Sequence, residues 1–353
     1  MITKLKIHNL KCFDSVEMSL NNFTLLTGMN SAGKSTIIQA ILLAVQNVTE
    51  NGRFPLNGRL VSLGQFSDVR NFIRNAKEFE VEVSSKNNNS VKFKFIENGQ
   101  EVKCEITNDS EVLIDYLHQK NHRISYFSSK RIGSQDLYLK NYDSYLNFGI
   151  LGEFAIDYFE KNKSTQIEDY LIKEKPVGKT LELQVNYWLK YILNCEISTE
   201  DISGTDQVRV KYKYSNNRYV RPRNIGSGLS YIISLLISVM SSKKDDLIII
   251  ENPEIHLHPS AQSKLTEFLT FCSENGIKLI VETHSDHIFN GVRKSIFNKV
   301  ISKNNLSVYF CKLTDDLLTE PVEIFFNQKG DVENHQRGLF DQFDEDLDEM
   351  LGL

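Results

Sequence analysis

Residues 28–36 read G-M-N-S-A-G-K-S-T. Glycine, four residues, then glycine-lysine-serine is the spacing of a phosphate-binding loop. The glycines let the backbone curl, so that N–H groups of Asn30, Ser31, Ala32, Gly33 and, in the first helical turn, Thr36 point at a phosphate. Lys34 would reach the outer phosphates of a nucleotide, and the Ser35 hydroxyl would hold Mg²⁺. Far downstream, the apolar run Leu247-Ile248-Ile249-Ile250 ends in Glu251. A carboxylate there would hold Mg²⁺ through water, because the metal keeps much of its hydration shell. Another apolar run, residues 277–281, leads to Glu282-Thr283-His284, where the imidazole could contact a γ-phosphate. Together these groups imply ATP with Mg²⁺ as the bound species.

Such groups need a scaffold, and the flanking pattern supplies one. Residues 23–27 form a short apolar strand before the loop, and Ile37, Ile38, Ile41 and Leu42 recur at helical spacing after it. That helix is expected to run to about Val48, before the Asn51-Gly52 turn. Residues 2–10 alternate as a half-buried strand, with 16–20 and 23–27 expected as its partners. From Phe79 to Ile106 the period is two, interrupted by Lys86-Asn87-Asn88-Asn89 and Asn98-Gly99. This is the pattern of an antiparallel meander. Residues 149–193 carry helical spacing, and 208–220 alternate around Ser215-Asn216-Asn217 as a hairpin. The run 247–250 has no polar alternation, as in a parallel strand covered on both faces. A helix is expected over 260–273. The fold class is therefore α/β, with a mixed central sheet and an antiparallel β subdomain.

The chain has 353 residues, 41% hydrophobic and 25% charged, with a formal net charge of −5. That balance gives no global signal for nucleic acid, so any such surface must be local. Five scattered cysteines without a C-x-x-C pair fit a reducing compartment. No stretch approaches the ~18 apolar residues of a membrane span, and the first residues lack a signal-peptide core. A cytoplasmic protein without a membrane partner is expected.

Four motifs now resemble those of ABC-type ATPases of the RecF/SMC/OLD-like group, in the prokaryotic AAA-family branch with compact inserts. Asn9-Leu10-Lys11-Cys12-Phe13 is similar to the N-terminal arm, and residues 28–35 to its Walker A loop. Gly226-Ser227-Gly228-Leu229-Ser230 resembles the signature in its G-x-G-x-S form. The run from Glu251 to Pro259, E-N-P-E-I-H-L-H-P, resembles the Walker B and D-loop segment, with Thr283-His284-Ser285 as its switch histidine. The resemblance implies P-loop ATPase folding, with a helical lobe carrying the signature. It implies nucleotide contacts from Lys11, Gly228 and Ser230, and a glutamine between the lobes, Gln65 with Asp68 as the alternative.

One departure bears on mechanism. The acid that polarises attacking water in the family is here Asn252, and an amide cannot accept the proton. Either Glu254 serves instead, or hydrolysis is slow. His256 and His258 would sit in the D-loop, without a third ligand that would make them a metal site. Arg209, Lys211, Lys213, Arg218, Arg221 and Arg223 have no acid among them. They are read as a solvated strand face or as a phosphate-tracking patch for nucleic acid. A second basic group, Lys120, His122, Arg123, Lys130 and Arg131, would join that patch or face nucleotide.

The expected organisation is a nucleotide-binding lobe (1–110 and 205–330), an inserted mainly helical lobe (111–204) and an acidic tail (331–353). The expected function is an ATPase, forming a homodimer or higher oligomer, that switches a separate nuclease or toxin in DNA maintenance or antiphage defence. The competing readings are the nucleotide-binding subunit of a membrane transporter and a small-molecule kinase.

Overall fold

A computed structural model describes residues 1–87, 89–99, 101–214, 218–224 and 226–351. The chain opens with β1 (Lys4–Leu10), β2 (Phe13–Ser19), β3 (Phe23–Gly28), α1 (Lys34–Thr49) and the short α2 (Phe66–Val69). Next come β4 (Glu78–Ser84), β5 (Ser90–Asn98), β6 (Glu101–Asn108), α3 (Glu111–Leu117), β7 (Ile124–Phe127) and β8 (Leu137–Leu139). The middle contains α4 (Ala155–Asn162), α5 (Leu181–Leu193), β9 (Cys195–Asp201), β10 (Gln207–Tyr214) and β11 (Tyr219–Val220). Then follow α6 (Gly228–Met240), β12 (Leu247–Glu251), α7 (Pro259–Glu274), β13 (Lys278–Glu282) and α8 (Asp286–Phe297). The chain closes with β14 (Leu306–Leu313), β15 (Thr319–Glu323) and α9 (Gln342–Leu351).

A six-stranded sheet, ordered β15-β14-β3-β13-β12-β7, organises the rest. All its pairs are parallel except β14 with β15. Its inner strands are apolar on both faces, because side chains alternate across a strand and both sides are covered. Ile248, Ile250, Leu279 and Val281 enter the core shared with α5, α6 and α7. Leu247, Ile249 and Ile280 enter the opposite core, with α1 and the β1–β4–β5 surface. The sheet thus separates two cores.

The meander forms as expected, in a five-stranded antiparallel sheet ordered β2-β1-β4-β5-β6. The expected pairing of β1 with β2 forms, whereas the expected partnership of β1 with β3 does not. β3 is buried at every position but its last, which suits the interior of the parallel sheet between β13 and β14. β2 alternates between buried and exposed positions and stays at an edge.

The structure also distributes 111–204 differently from the expected lobe. β7 is the end strand of the six-stranded sheet, and β9 pairs with β10 across residue 204. The reason is hydrogen bonding: the N–H and C=O groups of each strand find their partners in a ladder with a strand from outside this stretch. The hairpin turn Ser215-Asn216-Asn217 lies outside the described residues, although β10 and β11 pair on either side of it. Among the described residues no helix is long and apolar enough to cross a membrane.

Candidate functional site

The site forms where β3, β12 and β13 end on the same edge of the sheet. β3 closes at Gly28 with φ +129°, and a Cβ there would stand 2.2 Å from the Cys311 carbonyl oxygen of β14. Only glycine fits so close a backbone approach. Gly33, with φ +88°, caps α1, whose first turn contains no acid to compete with an incoming anion. Lys34 is 3% exposed and folds back, donating to the carbonyls of Gly28 (3.0 Å) and Met29 (2.7 Å). Burial lowers its pKa, and the nearby Glu282 opposes that shift.

A cavity of about 360 Å³ opens over this loop, lined by Asn30, Ser31, Ala32, Gly33, Lys34, Ser35 and Thr36 together with Lys11, Gln39, Glu282 and His284. Lys11 lines this cavity and donates to Gln39 Oε1 at 2.7 Å. Gln39 stands four residues after Ser35, hence on the same helical face. Gln65 does not reach this cavity. It borders a larger one, about 730 Å³, between residues 53–57, 64–67 and the β5–β6 turn. Asp68 accepts the Gln65 backbone N–H at 2.8 Å and is occupied in starting α2. Neither residue meets the loop, because the α2 turn directs them elsewhere.

The two strand-end acids are held differently. Glu251 accepts from the Tyr126 hydroxyl (2.9 Å) and from the Ser129 N–H (3.0 Å), so both its oxygens are bonded. Arg131, 4% exposed, donates to the carbonyls of Glu251 and Asn252 and fixes the turn that follows β12. Burial lowers its pKa to about 10, with Glu254 and Glu251 opposing. Arg131 thus braces the turn after β12 and does not line the loop cavity. Asn252 takes φ +43°, a conformation asparagine tolerates, and its N–H donates to the Glu282 carbonyl at 2.8 Å.

Glu282, which sequence reasoning did not include among the site residues, is 4% exposed and accepts the Ser35 hydroxyl at 2.8 Å. Burial pushes its pKa up to about 7, against the Ser35 hydrogen bond and with Glu251 adding to the rise. Glu254 reaches back so that Oε1 accepts the His284 backbone N–H at 2.9 Å. The remaining oxygens, Glu282 Oε2 and Glu254 Oε2, are buried without a partner. Buried orphan acceptors beside a glycine cradle and an amine are what a nucleotide's phosphates with a divalent cation would satisfy. The residues present fit that pair of ligands.

The signature-like segment starts α6 on the far side of Asn252. A Cβ at Gly228 would lie 2.4 Å from the His256 carbonyl oxygen, so this helix start is packed against the turn after Glu251. Ser230 is 4% exposed, with its hydroxyl 2.9 Å from that of Ser134. Its position one turn into α6 points it inward, whereas Ser227 at the helix start is half-buried. His256 stacks on Tyr231 at 5.6 Å, and His258 caps α7 by accepting the Ser260 N–H. Among the described residues no group of three His, Cys, Asp or Glu side chains gathers to hold a metal unaided. On β10, Arg209 and Lys211 lie on the exposed face at 3.3 and 3.6 Å from Glu200, while Val210 and Tyr212 are buried behind them. The second basic group is dispersed: Arg123 pairs with Asp246 at 2.7 Å, and Lys120 lies over the Tyr145 ring.

Residues 23–290 match a family described as "AAA domain, putative AbiEii toxin, Type IV TA system". The chain is similar to Endonuclease GajA of Bacillus cereus (strain HuB5-5), 26% identical over 291 residues, covering 70% of this chain and 40% of that one. It is also similar to the Old nuclease of Escherichia phage P2, 47% identical over 45 residues, or 13% of this chain and 8% of the nuclease. It therefore spans less than half the length of either relative. Two solved structures share the fold. One is an Smc head bound to the C-winged helix domain of ScpA (TM-score 0.53, 14% identity, 91% of this chain and 97% of that one). The other is the Pyrococcus furiosus Smc head with an extended coiled coil, bound to the C-terminal domain of ScpA (TM-score 0.54, 12% identity, 99% of both). With the P-loop, the strand-end acids and the sheet order in place, the chain belongs to this AAA-domain family and is a P-loop ATPase of the ABC type, in the RecF/SMC/OLD-like group.

Proposed function

We propose that this chain is an ATP-hydrolysing switch that dimerises around Mg·ATP and controls a separate effector. The observation that supports it best is a P-loop cavity lined by Glu282 and His284, with Glu251 in register beside Glu282 on the neighbouring strand. In this reading the N–H groups of residues 30–36 receive the phosphates, and Lys34 leaves the Gly28 and Met29 carbonyls for phosphate oxygens. Ser35 and Glu251 hold Mg²⁺, whose charge stabilises the charge that develops during phosphoryl transfer. Glu254, with one oxygen free, accepts the proton of attacking water in the place Asn252 leaves vacant. His284 orients the γ-phosphate from the cavity edge.

The second half of the site comes from another copy. The start of α6 carries the positive end of a helix dipole and suits an anion. Since Ser230 and Gly228 are buried, the half-buried Ser227 is the group that would face the partner's γ-phosphate. A two-fold pair then holds two composite sites. The relatives are named as nucleases and the family description names a toxin, which supports an effector of one of those kinds and a setting in DNA maintenance or antiphage defence.

Sedimentation of a slow-hydrolysing variant with and without ATP tests the model. ATP should convert monomer to dimer, and Ser227→Arg should keep ATP binding while losing dimer and turnover. A monomer under saturating ATP, or a fully active Ser227→Arg protein, overturns it.

A further inference from the structure

Glu282 lines the loop cavity but has no assigned role in the chemistry above, and it is a tightly constrained acid. It is 4% exposed, and its register partner on the adjacent parallel strand is Glu251. Parallel neighbours lie about 4.8 Å apart and place paired residues on the same face. Two carboxylates therefore stand side by side at the sheet edge, and each is tied differently. Both oxygens of Glu251 are bonded by Tyr126 and Ser129. Glu282 gives one oxygen to the Ser35 hydroxyl at 2.8 Å and keeps the other buried and unpartnered. The ammonium of Lys34 nearby is committed to two main-chain carbonyls.

We propose that Glu282 is an anionic positioning residue for the divalent cation. It holds the Ser35 hydroxyl in place and supplies, beside Glu251, the second negative charge that Asn252 does not provide. The inference rests on the Mg·ATP reading above. A carboxylate that grips a metal-ligating hydroxyl fixes its rotamer, as outer-shell acids do at metal sites. Its free oxygen then has a natural partner in the water shell that Mg²⁺ retains. The arrangement also accounts for the absence, among the described residues, of a ready-made protein cage: one or two carboxylates plus phosphates suffice for this ion.

The experiment measures the dissociation constant of a fluorescent ATP analogue with EDTA and with Mg²⁺. In the native protein Mg²⁺ should tighten binding. Glu282→Gln keeps an acceptor for Ser35 but loses the charge, so Mg²⁺ enhancement should fall by about tenfold or more. Affinity in EDTA should be unchanged or tighter, because an anion facing the phosphates has gone. Glu282→Asp should recover part of the enhancement, and Mn²⁺ bound in the presence of nucleotide, counted by electron spin resonance, should follow the same order. A Gln variant with full enhancement overturns the inference, as does one that weakens binding equally in both conditions. If the native protein fails to bind the analogue at all, the Mg·ATP reading itself falls, and that outcome is distinct from either of the others.

Discussion

The five-stranded sheet and the phosphate edge of the six-stranded sheet sit on either side of α1, yet they are built on opposite rules. In the first, the inward residues are apolar and closed: Val81, Val83, Phe93 and Phe95 are fully buried, and Phe79 stacks on Phe95 at 4.5 Å. Its outward charges pair across strands, as Lys92 does with Glu80 and Lys94 with Glu78. At the phosphate edge, a buried acid lies near a buried lysine, and two buried carboxylate oxygens have no partner. The contrast separates stability, which accumulates where local preference and packing agree, from chemistry, which needs groups left unsatisfied until a ligand arrives.

Four substitutions test that contrast. Phe79→Ala removes a ring from the closed core and should cost about 3–5 kcal/mol, read as a lowered denaturation midpoint. The folded fraction should bind ATP as the native protein does. Lys34→Ala should act the other way, weakening ATP binding by about 100-fold, or ~2.7 kcal/mol, with a melting temperature close to native. If Phe79→Ala alters affinity in the folded protein, or Lys34→Ala collapses the fold, the two regions are not separable. The smallest effect sharpens the edge itself. Glu254→Gln retains an acceptor for the His284 N–H and loses only proton acceptance, so turnover should fall by about tenfold with binding kept. Asn252→Glu should retain or raise turnover. If steady-state rates of both variants equal the native rate, neither residue serves the water.

The same contrast explains what could be read from the sequence. Period-two alternation from Phe79 to Ile106 announced the meander, and the unbroken run 247–250 announced a doubly covered strand. The glycine spacing located the loop. Other features depend on register between distant strands, which local pattern does not encode. The Ser35–Glu282 bond joins residues 247 positions apart. Gln39 was hidden by being an ordinary polar position on a helix, and the side on which Ser230 lies depends on where α6 begins. Gln65 was an expectation from resemblance alone, and the turn into α2 carries it to another cavity. β3 was expected beside β1 because the two lie close along the chain, whereas its two apolar faces favour the interior.

The peptide from Ser128 to Ser134 has one further meaning. Ser129 grips the Glu251 carboxylate, Arg131 holds the carbonyls just beyond it, and Ser134 meets Ser230 in α6. One short stretch is thus a common boundary for the acid in this copy's loop and for the helix that would serve the opposite copy. Linkage between two positions is reciprocal. Any bias that an occupant beside Glu251 places on this stretch is returned, in equal measure, to whatever the start of α6 touches. A pair of such chains would then read each other's occupancy through a few peptide bonds, with no need for a messenger that travels the length of the fold.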